Sequence, residues 1–153
     1  MEEDEYKSSY NELASVRCVF EKALTSHQAK CPLSRHFCLA DREGYSCEEI
    51  SSSSKCRQFL KLLRENSLFA LKLKEIDGQL PHNMEIRVQV GGVSGIAKMF
   101  DHALAEQTGA VKVDDIQAVL KRAVKDYGSL EKLPYSQIIQ SVVQYKGRRK
   151  RQH

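Results

Sequence analysis

The sequence predicts a mainly α single domain of about six helices with one short β element, on three observations. Apolar residues recur every three or four positions through most of the chain, Pro32, Pro134, Gly44, Gly109 and Gly128 punctuate those stripes, and Ile86 to Val90 alternates apolar and polar residues. The 153 residues leave room for one ordinary domain with a real core. With 41% hydrophobic and 29% charged residues, 8 Gly and 3 Pro, the composition excludes a collagen, a mucin-like stalk and a mostly disordered chain. No apolar run approaches the ~18 residues of a membrane span. The acidic start, Met1 to Glu5, differs from the basic-then-apolar pattern of a signal peptide, so the expected address is the cytoplasm.

The elements follow in order. Residues 1–8 read as an acidic tail and residues 9–145 as the domain, with a cysteine-bearing part at 9–76 and a C-terminal helical part at 94–145. Leu13, Val16, Phe20, Leu24 and His27 describe one stripe of a helix over residues 9–29. Pro32 suits the first position of a second helix, with Leu33, Phe37 and Ala40 on one face and Gly44 near its end. Ser51 to Ser54 form a connector whose last members cap a third helix, carried by Phe59, Leu60, Leu63 and Leu68 to Leu71 to about Leu73 and expected to be the most buried. Ile86, Val88 and Val90 form the strand, whose partner is a short segment elsewhere or the same strand of a second copy in a homodimer. Gly91-Gly92-Val93-Ser94-Gly95 leads into a helix with Ile96, Met99, Phe100, Ala103 and Leu104. Asp114 and Asp115 open the next, which Gly128 stops, and Pro134 begins the last.

Chemistry concentrates in the cysteines. Cys18, Cys31, Cys38, Cys47 and Cys56 all fall within 39 consecutive residues, and the 97 residues after them contain none. Their number is odd and their density low for a disulfide scaffold, which favours reduced thiols or metal ligands. On the expected helices, Cys18 and Cys38 lie about 140° from the apolar stripes and Cys31 about 160°. Cys56, placed in the first turn of the third helix between Lys55 and Arg57, sits where free N–H groups and positive charge stabilise a thiolate. Cys31 and Cys38 in one helix would stand about 10 Å apart along its axis, too far to share one metal at ~2.3 Å bonds. Cys38, beside Phe37, Leu39 and Ala40, is the one to exclude. Cys18, Cys31, Cys47 and Cys56 remain, the number that holds a zinc ion or an iron–sulfur cluster, with His27 or His36 as substitutes. The spacings lack the close C-x-x-C pairs of zinc ribbons and ferredoxins, and dispersed ligands favour an iron–sulfur cluster over zinc. Unliganded thiols and a redox disulfide are the alternatives.

The stretch Arg17-Cys18-x-Phe20-Glu21, Cys31, Ala40-Asp41-Arg42-Glu43, Cys47, Cys56 and Phe69-Ala70-Leu71, followed by Pro81-His82 and Val88-Gln89-Val90-Gly91-Gly92, resembles a group of small, uncharacterised bacterial proteins with four dispersed cysteines. The resemblance covers residues 16–96 and implies a bacterial origin and the same four thiols. It names no activity, and some members carry a cysteine where this chain has Val90.

Other motifs carry less. Gly91-Gly92-x-x-Gly95 is similar to a phosphate-cradling loop but lacks the full dinucleotide fingerprint and a following Gly-Lys-Ser/Thr. The tail at 146–153 holds Lys146, Arg148, Arg149, Lys150 and Arg151, a contact for an anionic partner, nucleic acid included, through phosphates without sequence readout. The sequence assigns no catalytic residue. Its leading expectation is a cytosolic iron–sulfur protein, of the 4Fe–4S kind, in electron transfer or redox sensing with a protein redox partner. The alternative is a metal-free interaction module with a basic tail.

Overall fold

A computed structural model describes residues 16–71 and 80–145. The expected acidic and basic tails lie outside the described residues. In order, the chain forms α1 (Glu21–Thr25), β1 (Ser34–Leu39), β2 (Arg42–Cys47), α2 (Ile50–Ser67), α3 (His82–Phe100), the short α4 (His102–Ala105), α5 (Ile116–Tyr127), a 3-10 turn (Leu130–Lys132) and α6 (Tyr135–Gln144). The fold is mainly α, with six helices and one two-stranded antiparallel sheet among the described residues. None of these helices is long and apolar enough to cross a membrane.

The β element lies elsewhere than the alternation at 86–90 suggests. Residues 82–100 are one helix, and Arg87 and Gln89 are polar positions of its surface and interior rather than one face of a strand. The strand-paired homodimer loses its basis with that strand. The phosphate loop falls with it, because Gly91, Gly92 and Gly95 are buried and helical. A side chain on Gly91 would stand 2.5 Å from Val142 Cα, and one on Gly95 would stand 2.6 Å from the Ile138 carbonyl oxygen. A methyl group on Gly92 would run into the Leu63 side chain. The glycines therefore let α3 lie backbone-to-backbone on α6 and against α2, a packing that outweighs glycine's poor helix propensity. Val88 through Ala97 are all buried, so α3, rather than the helix carrying Phe59, is the core helix.

The second expected helix is instead the hairpin β1–β2, with Ser34 opposite Cys47 and Leu39 opposite Arg42. Leu33, Phe37 and Ala40 have helical spacing by coincidence. The chain reverses at Ala40-Asp41, with Ala40 in the left-handed region at φ 56°. The first helix is equally reduced: residues 16–20 are non-helical, α1 is a single short turn, and Leu13 lies outside the described residues. The helix expected to reach Leu73 ends at Ser67, leaving Phe69 95% exposed. Helix α2 also begins earlier than expected, so the serine run is its first turns rather than a connector. Glu49 precedes it, its carboxylate accepting hydrogen bonds from Ser51 Oγ at 3.0 Å and Ser52 Oγ at 2.7 Å.

The C-terminal helices match their punctuation. Asp115 caps α5, its Oδ1 accepting from Ala118 N at 3.0 Å, and Gly128 ends that helix at φ 93°. Pro134 precedes α6. Between α1, α2 and α3 runs a buried polar chain. The Arg64 guanidinium pairs with Glu85, which is fully buried, and Gln89 Nε2 donates to Glu85 Oε1 at 3.2 Å while its Oε1 accepts from Ala23 N at 3.2 Å.

Two substitutions test this packing. Gly91→Ala should lower unfolding stability by at least about 1–3 kcal/mol in urea denaturation, the usual cost of overpacking, whereas the open site at Gly109 marks a position where the cost comes from backbone conformation alone. Glu85→Ala, which strands the Arg64 charge, should cost about 3–5 kcal/mol; a loss below 1 kcal/mol would mean the pair is not a buried anchor.

Candidate metal centre

Four cysteines from four separate segments meet at one cavity. Cys18, Cys31, Cys47 and Cys56 line it together with Val19, Phe20, Ser34, Ser53, Ile116 and Gln117. Cys38 does not: it lies exposed on β1, so the helix-axis argument that set it aside does not apply, and its place on the hairpin takes over that role. Neither His27 nor His36 lines the cavity; His36 is exposed and packs its ring on Tyr45, centroids 4.9 Å apart.

Backbone pairing delivers each thiol. Residues 16–18 run along the outer edge of β2, with Cys18 N donating to the Tyr45 carbonyl at 3.0 Å and Cys47 N donating to the Val16 carbonyl at 2.8 Å. An Arg17–Ser46 bridge lies between those two bonds. Cys18 and Cys47 are thus held on adjacent strands rather than on one face of a helix. Cys31 follows a segment fastened to the C-terminal half of the chain. Lys30 N donates to Val113 O at 2.8 Å, Val113 N to Gln28 O at 3.0 Å, and Ile116 N to Lys30 O at 3.0 Å. The Cys31 carbonyl then accepts from Ser34 N and Oγ, turning the chain into β1. Cys56 projects inward from α2 and is 8% exposed.

Because α2 starts at Ile50, Cys56 sits beyond its first turn, and the thiolate-favouring position expected for it belongs to the serines instead. Burial pushes the Cys56 thiol up to about 11, opposed by the Gln117 amide and reinforced by Cys31 and Cys47. Burial likewise pushes Cys18 up to about 12, against the backbone N–H of Phe20, with Cys31, Cys56 and Cys47 adding to the rise. Cys31 is raised as well, first by burial, while the Leu33 N–H and the Gln117 side chain favour its thiolate. The Gln117 amide is aimed at one of these sulfurs, with Nε2 3.2 Å from Cys56 Sγ, whereas Cys47 Sγ is itself the donor, to the Glu49 carbonyl at 3.2 Å.

One donor has nothing to bond. Ser53 is 3% exposed and its Oγ has no hydrogen-bond partner among the described residues, a state that ordinarily costs about 1–3 kcal/mol. In kind and number the residues suit a thiolate-bound centre: four sulfurs, donors directed at three of them (Cys18, Cys31 and Cys56), and an orphan hydroxyl on the same wall. Among the described residues no three His, Cys, Asp or Glu side chains are placed to hold a single metal ion. The space between the thiols is about 20 Å³, so a multi-iron cluster enters only if a wall moves outward. Cys31 precedes β1 and Cys47 ends β2, both half-buried at the open end of the hairpin, whereas Cys56 is buried within α2.

Sequence reasoning brought the four thiols into one list. It missed Ser53 and Gln117, whose roles depend on contacts between α2, α5 and the cysteine loops. The anionic-partner residues Lys146, Arg148, Arg149, Lys150 and Arg151 lie outside the described residues.

The metal-free protein should lose stability as pH rises from about 8.5 toward 12. The folded state keeps protons on Cys18 and Cys56 that the unfolded chain releases near the ordinary thiol pKa, so folding binds extra protons in that window and alkali opposes it. Urea midpoints across this range check the sign. At pH 8, iodoacetamide should label Cys38 well before Cys18 or Cys56, and equal rates at all three would contradict the burial. Comparison with protein-family models, with curated proteins and with solved structures finds no match to this chain.

Proposed function

We propose that Cys18, Cys31, Cys47 and Cys56 ligate an iron–sulfur cluster, of the 4Fe–4S kind, and that the protein serves in electron transfer or redox sensing. The observation that carries this reading is the convergence of four thiols from separate segments on one cavity that excludes Cys38. Four cysteine thiolates are the usual complement of such clusters. When bound, the cluster supplies reversible one-electron exchange. The chain's own residues supply the rest: Phe20 and Ile116 wall the site with apolar surface, and the N–H groups of Phe20 and Leu33 and the Gln117 amide stabilise negative sulfur. With all four thiols engaged, no coordination position is left for a substrate, which favours electron exchange with a protein partner over catalysis at the metal.

Loading is coupled to the thiols' protonation. Ligands bind as thiolates, so metal uptake releases protons that burial otherwise retains, and affinity rises with pH until folding weakens.

The test is metal and acid-labile sulfide content with a visible spectrum on untagged protein purified without oxygen. Iron and sulfide in equal amounts, with a broad absorbance near the visible blue, are expected. Cys47→Ser should lose most of the colour, and Cys38→Ser should keep it. Stoichiometric zinc without sulfide would make the thiols a structural staple. Neither metal, with Cys47→Ser unchanged in folding, would favour a metal-free interaction module.

A further inference from the structure

We propose that the Ser53 hydroxyl and the Gln117 side-chain amide are hydrogen-bond donors to the cluster's sulfurs and set its reduction potential; this rests on the iron–sulfur reading above. Two independent placements carry it. A serine inside a helix commonly turns its hydroxyl back to the carbonyl four residues earlier, and Ser67 does so, donating to Leu63 O at 2.6 Å. Ser53 does not. The corresponding carbonyl, that of Glu49, already accepts from Ser53 N at 3.0 Å and from Cys47 Sγ. The Ser53 hydroxyl is left buried, unpartnered and on the wall that the four thiols share.

Gln117 arrives from a different part of the chain. It is buried at the start of α5, within hydrogen-bond distance of Cys56 Sγ and also favouring the Cys31 thiolate. A primary amide carries two N–H donors, enough for two sulfurs at once. Position 117 thus joins two ligands from separate segments, and Ser53 supplies a further donor with no competing acceptor. Donors to sulfur stabilise the more negatively charged reduced cluster, which raises the reduction potential. Neither side chain ligates a metal in this scheme; both are positioning residues.

The experiment is anaerobic reconstitution with ferrous iron and sulfide of the full chain and of Ser53→Ala and Gln117→Leu, followed by redox titration monitored in the visible. Both variants are expected to hold the same iron and sulfide as the parent and to titrate at more negative potentials, with the double variant shifted further than either. Full loading with an unchanged potential in both would overturn the proposal while leaving the cluster reading intact. A parent protein that takes up no cluster would overturn the cluster reading and this inference with it. If Gln117→Leu fails to load, Gln117→Asn withdraws the same amide from the sulfurs with less change in polarity and is read by the same shift. Urea unfolding of metal-free Ser53→Ala supplies a readout that needs no cluster. A hydroxyl reserved for the cluster leaves that stability unchanged or higher, whereas a marked loss would assign Ser53 a structural role and overturn its part.

Discussion

The fold depends on how closely α3 can approach α6. Gly91 and Gly95, one turn apart, place the α3 backbone directly against the α6 backbone at Val142 and Ile138, and Gly92 admits Leu63 of α2 on a neighbouring face. Any side chain at these positions forces the helices apart, and the displaced helices carry most of the remaining core: Phe59 and Leu63 on α2, Ile138 and Val142 on α6, all fully buried. The thiol cavity is a dependent of this arrangement. Cys56 and Ser53 are fixed because α2 is seated on α3, and Gln117 is fixed because α5 follows the Ser94–Val111 hydrogen bond that ties the α3–α5 connection down at 2.9 Å.

At the cavity, two physical effects oppose each other. Removal from water holds Cys18, Cys31 and Cys56 in the neutral thiol form, while backbone amides at Phe20 and Leu33 and the side chain of Gln117 are arranged to favour the ionised form. Donors aimed at neutral thiols gain little, because a thiol is a poor acceptor. Under the proposed reading, a cationic occupant resolves the conflict. It draws off the protons, offsets the repulsion among four thiolates, and gives every donor a charged acceptor.

Legibility in the sequence tracked how local each signal was. Helices α5 and α6 could be read because Asp115, Gly128 and Pro134 act within a few residues of themselves. The hairpin could not: Leu33, Phe37 and Ala40 carry helical spacing, and what makes this segment a strand is pairing with β2 and the edge contact of residues 16–18. Helix α3 was hidden because three glycines ordinarily punctuate a chain, and their helical role comes from Val142, Ile138 and Leu63, far away in sequence. The four site cysteines were legible as a set because clustering is visible in one dimension, yet the elements presenting them were misassigned. Ser53 and Gln117 carried no signal at all, since a serine in a serine run and a glutamine after an acidic cap look like ordinary helix surface.

The bridge between Ala29 and Val113, and the seating of Ile116 and Gln117 against the cysteines, have a consequence in time rather than space. The four thiol-bearing residues are synthesised first, and Ile116 follows Cys56 by 60 residues. At roughly 5–20 residues per second, that interval lasts roughly three to twelve seconds. Throughout it the nascent chain holds every thiol of the site without the wall that will later enclose them. Under the proposed reading, the cysteines are therefore most open to metal and to oxidant during synthesis, and completion of α5 encloses them.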